Sequence, residues 1–178
     1  MNIFYLHIDP IACARMHNDK HCVKMIVEYA QLLSTTHRIL DGDQYLTTNV
    51  NGRKVVRWKL SDYREDVLYQ AAHVKHPSAI WTRQCDKNYS WLYTLFCNLI
   101  DEYSYRYGRT HKTSELIEYL KFLPGNIKIG QFTEPTPAMP DEYKVEGDSL
   151  RSYHNYYRYG KDHLAKWSKR PTPILLDK

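Results

Sequence analysis

The sequence predicts a mainly α fold: a single compact helical domain, residues 1–178, with one β-hairpin inserted at about residues 44–58. Three observations predict it. Two long runs, Asn18 to Leu40 and Asp86 to Tyr107, repeat their apolar residues at helical rather than alternating spacing. Start and stop signals frame these runs, among them Asp9-Pro10 and Gly108. A single stretch, YLTTNV-NG-RKVVRW, places β-branched residues on both sides of Asn51-Gly52, the strongest short-range hairpin signal.

Taken in order, Met1 to Ile8 is a short apolar segment that suits a strand or an extended arm. Asp9 and Pro10 open a short helix to about Met16, with aspartate as N-cap and proline at the first helical position. The helix from Asn18 to Leu40 follows and ends at Asp41-Gly42-Asp43. Beyond the hairpin, Ser61 is placed to cap a helix from Asp62 to Ala72. His73, Val74, Lys75 and His76 interrupt it, and Pro77 opens the next. From Asp86 to Tyr107, Trp91, Leu92, Leu95, Phe96, Leu99, Ile100 and Tyr103 recur at helical spacing, with Gly108 as the stop. Thr113 is placed to cap a helix from Ser114 to Leu123. Residues 124–147 read as a long irregular stretch with Pro135, Pro137 and Pro140, and loops of that length in compact domains are often functional. Asp148 caps a last helix, Ser149 to Tyr159, before Gly160 and a short basic end. No internal repeat or low-complexity segment interrupts the chain.

Composition narrows the class. At 178 residues the chain can bury a substantial core. Its 16 tyrosines and 4 tryptophans supply both core volume and stacking surfaces with a polar handle. Between Arg151 and Arg170, six cations (Arg151, Arg158, Lys161, Lys166, Lys169 and Arg170) face Asp162 alone, so this segment equals the whole net charge of +5. The four cysteines form no CxxC pair and sit mostly in apolar helical pattern, which suits reduced, buried thiols. Neither a signal peptide nor a run of transmembrane length is present. The expectation is a soluble cytoplasmic protein without a membrane partner.

Within Asn18 to Leu40 the polar residues are unevenly sorted. His17, His21, Lys24, Glu28, Gln31 and Thr35 fall within about 40° of one line on a helix, and Lys20 and Arg38 flank it. Cys22, Val23, Met25, Ile26, Val27, Tyr29, Ala30, Leu32 and Leu33 make up the rest of the middle. This is a narrow polar seam on an apolar cylinder, the inverse of an ordinary surface helix. A helix of that kind is expected to be largely buried, and buried charges are costly unless paired. The seam therefore either lines a cleft or forms the one solvent-facing side of a central helix.

Two chemistries fit the seam. His17 and His21 at i, i+4 can hold a divalent metal, although the glutamate that follows the first histidine in zinc hydrolases is absent, and Glu28 lies about 10 Å farther along the axis. Without a metal, a carboxylate beside an ammonium and imidazoles can act as base or stabilise a developing cation, and a lysine can attack a carbonyl or an anomeric carbon. Glu28, His21, Lys24 and His17 are the candidate catalytic set, and Gln31 lies in the same row. Further clusters could converge on it: His76, Trp81 and Arg83 in KHPSAIWTR, Arg106 and His111 in EYSYRYGRTHK, and Asp141 in AMPDEYK. Each also has an ordinary reading as a helix start, an ion pair or a solvated loop, and the Glu102–Arg106 pair suits a structural role best. Tyr157 and Lys161 belong to YHNYYRYGKDHLAKWSKR, whose alternating cations and rings match the composition of nucleic-acid surfaces.

The segments DKHCVKMIVEYAQLLSTTH, KHPSAIW with its following arginine, EYSYRYGRTHK, AMPDEYK and YHNYYRYGK resemble a family of small phage-encoded proteins also met in prophages. The chain is more distantly similar to the bacteriophage pyrimidine-dimer DNA glycosylases, small helical enzymes that cleave the glycosidic bond and then the strand. His21 and Glu28 match that family's histidine seven residues before its catalytic glutamate. Tyr156, Tyr157, Gly160 and Lys161 resemble its late tyrosine-rich run ending in Gly-Lys. The chain departs from the family in two places. Those enzymes attack with the amine of a mature N-terminal residue, freed by removing methionine before a small residue, whereas residue 2 here is Asn2. Val27 and Gln31 stand near the positions of the family's arginines. Lys24 is then the seam amine that could replace the nucleophile.

The resemblance implies a phage-type enzyme acting on the base or N-glycosidic bond of a nucleic acid or nucleotide, with Glu28 as its central carboxylate and no cofactor. A metal-dependent hydrolase or nuclease using His17 and His21, and a non-enzymatic nucleic-acid-binding accessory protein, are the alternatives.

Overall fold

The computed structural model describes residues 1–174 and is mainly α-helical, with one two-stranded antiparallel hairpin. Among the described residues, no helix is long and apolar enough to cross a membrane.

Helix α1 (Pro10–Met16) starts as its sequence dictates: Asp9 accepts from the Ile11 N–H and Pro10 occupies the first turn. Helix α2 (Asp19–Asp41) is capped by Asn18, whose side chain accepts from the His21 N–H. It buries Met25, Ile26, Tyr29, Leu32 and Leu33 in the core. Helix α4 (Asp86–Tyr107) packs along both α1 and α2 and ends at Gly108, whose φ of 67° is the left-handed C-cap that glycine adopts without strain. The short helix α3 (Pro77–Thr82) runs beside α2 and packs against it.

Residues 3–6 are buried, yet they form no strand. The Phe4 N–H donates to Tyr29 Oη, the Leu6 N–H is shared between the Phe4 carbonyl and Cys13 Sγ, and the Leu6 carbonyl accepts from His154 Nε2. The core gathers this segment, the inner faces of α2 and α4, Trp81, and Tyr153 and Tyr157 into one apolar cluster.

Strands β1 (Asp43–Thr48) and β2 (Lys54–Lys59) pair from Asp43–Lys59 to Thr48–Lys54. Gly52, at φ 73°, donates to the Asn49 carbonyl, and Asn49 donates in turn to the Arg53 carbonyl. The turn is thus wider than Asn51-Gly52 alone. Both faces of the hairpin are largely exposed, and Val50 at its tip is fully so.

Three expected helices change. Residues 62–72 form turns instead of a helix, because their carbonyls are diverted to α2 as described below. The expected helix from Ser114 to Leu123 is a 3-10 turn, Lys112–Leu116, followed by α5 (Ile117–Leu120), and its cap is His111 rather than Thr113. Tyr89 Oη takes the Leu120 carbonyl, and Pro124 disfavours helical backbone at Leu123. The last helix, α6 (Ser149–Asn155), gives way to a π-type turn over Tyr156–Gly160. A Cβ on Gly160 would lie 2.6 Å from the Tyr156 ring, so this turn can close only over glycine.

Candidate functional site

The polar row of α2 divides between two environments. In the half from Gln31 onward, the polar side chains bind the segment that follows the hairpin. Gln31 Nε2 donates to the Gln70 carbonyl at 2.6 Å, and Thr35 Oγ1 accepts from the Ala72 N–H at 3.2 Å. Arg38, with no exposed surface, donates from Nε to the Tyr69 carbonyl, from Nη1 to the Trp58 carbonyl and Glu65 Oε2, and from Nη2 to the carbonyls of Glu65 and Leu68. These carbonyls would otherwise serve the 62–72 helix, and a buried guanidinium requires them.

The half from His21 to Glu28 is organised differently. Glu28 carries its carboxylate at the edge of the exposed strip of α2, with its side chain 17 % exposed. Lys24 Nζ lies 3.2 Å from Oε1, the Met1 amine lies 3.6 Å from Oε2, and the Asn2 N–H donates to Oε2 at 3.2 Å. Asn2 fixes this arrangement: its Nδ2 donates to the Ala138 carbonyl, and its Oδ1 accepts from Tyr153 Oη at 2.7 Å. The long proline-rich loop, α6 and the N-terminal arm therefore meet over the carboxylate. His76 caps α3 by accepting from the Ser78 N–H. Its pKa is lowered by burial first, then by the Met1 amine and His73, with Glu28 opposing, which places it on the same charge cluster. His73 adopts φ 49°, a conformation costly for a residue with a Cβ and concentrated at functional sites.

His21 sits one turn before Lys24. Its ring stacks on Phe4 with centroids 4.1 Å apart, and Nδ1 lies 2.7 Å from Tyr157 Oη. Burial lowers the His21 pKa to about 3, with His17, Lys161, Lys24 and His163 adding to the effect. The result is a neutral imidazole close to the ammonium groups of Lys24 and Lys161. Phe4 stacks in turn on Tyr156, Tyr156 contacts Tyr143, and Lys161 lies 4.9 Å over the Tyr156 ring. Rings and cations thus continue from His21 to the π-type turn, a geometry found frequently at functional sites.

The other predicted residues are distributed as follows. His17 has no exposed surface: Nδ1 donates to the Cys13 carbonyl and Nε2 accepts from Tyr29 Oη at 2.7 Å, so both nitrogens are engaged inside the core. Burial takes its pKa down to about 4. Trp81 is also internal, 1 % exposed, with Nε1 donating to the Thr133 carbonyl. Arg106 is buried in an ion network with Glu102 and Asp19, and Arg170 completes it on Glu102. His111 caps the 3-10 turn and packs edge-on against Tyr103. Asp141 is exposed and pairs with Lys144 at 2.7 Å. Arg83 lines a separate cavity. Val23 and Val27, expected to be buried, are exposed and form an apolar lip beside Lys24. Among the described residues, no group of three or more His, Cys, Asp or Glu side chains is arranged to hold a metal ion.

The placement of the Met1 amine, Asn2, Phe4 and His73 at this site is not legible in the sequence. All four reach the site through long-range packing of segments whose own pattern is unremarkable. The positive φ of His73 has no sequence signal, and only its closeness to His76 could have drawn attention to it. No protein-family model, curated protein or solved structure matches this chain.

Proposed function

We propose that the chain is a phage-type nucleic-acid or nucleotide enzyme acting on the N-glycosidic bond, with Glu28 as its central carboxylate. One observation carries the reading: a partly buried carboxylate is flanked by two amines, Lys24 Nζ at 3.2 Å and the Met1 amine at 3.6 Å. A carboxylate in this position stabilises the positive charge that develops on the sugar as the base departs. It also accepts a proton from a flanking ammonium, which frees the amine to attack the anomeric carbon. As that bond forms, the carbon–nitrogen bond to the base breaks, its electron pair leaves with the base, and the base takes up the proton that Glu28 accepted.

His21 fits a donor to the leaving base or to a flanking phosphate. His17 fits a positioning role, because its Tyr29 hydrogen bond fixes the hydroxyl that holds the Phe4 backbone. The ring-and-cation surface from Tyr143 to Lys161 fits a nucleic-acid backbone and unstacked bases.

The experiment is base release from double- and single-stranded DNA and from nucleosides, with borohydride reduction to capture any imine. Active protein should form a covalent adduct that peptide mapping assigns to Lys24 or to the N-terminal residues, and Glu28→Gln should lose both adduct and base release. A Glu28→Gln protein that is as active as the wild type overturns the reading. Binding of nucleic acid without base release from any of these substrates would favour the accessory-protein reading.

A further inference from the structure

Arg83 differs from the arginines that form ion pairs. Arg38, Arg64, Arg106 and Arg170 each face a carboxylate, at 2.6, 2.7, 2.8 and 2.8 Å respectively. Arg83, at the C-cap of α3, faces none, and its Nη1 is enclosed without a hydrogen-bond partner. Burial alone lowers its pKa, and no neighbouring charge contributes. Arg83 is only partly buried, but its enclosed Nη1 is an unsatisfied donor, and such donors are rare in native proteins.

The guanidinium borders a cavity of about 290 Å³, whose lining also includes Leu40, Gln84, Asn126 and Lys128. The lining holds a second cation, Lys128, and two carboxamides, but no acidic side chain. Asn126 Nδ2 is already committed to the Leu40 carbonyl and Asp41. Asp41, the adjacent carboxylate, is saturated by Arg64, the Gly125 N–H and the Asn126 N–H. Arg83, Gln84 and Lys128 remain as residues with donor groups on the pocket's lining.

We propose that this cavity is an anion site that takes a phosphate group through Arg83, with Lys128 and Gln84 as secondary donors. Two cations suit a tetrahedral dianion better than a single carboxylate, and the planar guanidinium fork matches two phosphate oxygens. The cavity lies beside Leu40, about 18 Å along α2 from Glu28 at 1.5 Å per residue, so it is distinct from the carboxylate site. The inference stands independently of the glycosidic-bond reading. Free phosphate and a phosphate of a nucleic-acid chain share the same chemistry, and the test separates them.

Thermal unfolding of the full chain is compared in chloride, acetate and inorganic phosphate at matched ionic strength and pH 7.5. Phosphate at ten times its Kd should raise Tm by about 3 °C or more. Arg83→Met should abolish this increment, while its Tm in chloride should equal or exceed the wild type because an unsatisfied enclosed donor is gone. Lys128→Gln, an exposed change, should reduce the increment. A 5′-phosphorylated oligonucleotide that competes for the site at far lower concentration than inorganic phosphate identifies a nucleic-acid phosphate. Equal competition identifies the free anion. A wild-type Tm indifferent to phosphate overturns the site, as does an equal effect of acetate. An undiminished increment in Arg83→Met does the same, and if that variant does not fold, an undiminished increment in Lys128→Gln together with no heat of phosphate binding by wild-type calorimetry overturns it.

Discussion

The two halves of the α2 polar row share one periodicity and end differently. From Gln31 to Arg38 the polar atoms terminate on backbone groups of residues 58–72, and Arg38 alone makes five such hydrogen bonds, counting Glu65 Oε2. From His21 to Glu28 they meet the Met1 amine, an exposed lysine and the Tyr157 hydroxyl. Helical spacing identifies a row of polar groups, but the partners decide whether that row staples the chain or meets a ligand. A row answered by carbonyls is structural. A row answered by amines at ion-pair distance keeps capacity for chemistry.

The sharpest test of this contrast is Arg38→Met, which should destabilise the protein by about 3–5 kcal/mol, because Glu65 and four carbonyls lose a buried partner. Urea unfolding measures it, and a loss below 1 kcal/mol, on the same scale, would erase the distinction. Glu28→Gln should do the reverse. Base release should fall about 100-fold or more, equivalent to about 2.7 kcal/mol in the barrier, while Tm stays within about 2 °C.

Acidification probes both halves together. His21 in the site half and His37 in the structural half are held neutral, with pKa values lowered to about 3 and about 4, and His17 behind them to about 4. Burial is the first cause in each. The unfolded chain binds these protons near pH 6.5 and the folded chain does not. Stability is therefore complete above pH 6.5 and falls as pH drops toward 4, by on the order of 1.4 kcal/mol per pH unit for each histidine. Unfolding free energy measured between pH 7 and 4.5 should show proton uptake to which each of these three rings contributes, with His76 and His111, also lowered by burial, adding to it, and His37→Gln should remove one contribution. A flat profile would mean that these rings are already protonated in the folded state.

Two smaller effects complete the series. Tyr157→Phe removes the hydroxyl that holds His21 Nδ1, and should lower base release several-fold and move its pH profile, readouts that a packing defect alone would not shift together. Lys24→Gln should change stability by less than about 0.5 kcal/mol, since the lysine itself is largely exposed and Glu28 keeps the Met1 amine and the Asn2 N–H. If Lys24 is the attacking amine, the borohydride adduct disappears in this variant. If the adduct persists, the Met1 side of the carboxylate supplies the nucleophile.

The long helices were legible because their signals are local. Asn18 caps α2, and Asp86 to Tyr107 matches α4 at both ends because Gly108 provides the left-handed stop. Residues 62–72 were not, because the helix that their pattern allows competes with a guanidinium distant in sequence. Within the site, Glu28, Lys24 and His21 followed from spacing along one helix. His17 carries the same spacing but turns into the core, since it precedes the Asn18 cap and its ring binds the Cys13 carbonyl. Asn2 was read only as a barrier to methionine removal. Its position beside the carboxylate depends on Tyr153 and Ala138, which lie some 150 and 136 residues away.

Arg38 also bears on the order of assembly. Its acceptors at Trp58, Glu65, Leu68 and Tyr69 lie 20 to 31 residues downstream, in strand β2 and in the segment that follows it. Helix α2 forms from contacts within a few residues, whereas gathering those carbonyls requires closure of a longer loop, which is slower. Until that closure the guanidinium remains hydrated, and segment 62–72 is free to sample the helix that its own residues favour. Pulse-labelling of amide hydrogens during refolding should therefore protect α2 before residues 62–72, with a transient helical signal in that segment that disappears as Arg38 is enclosed.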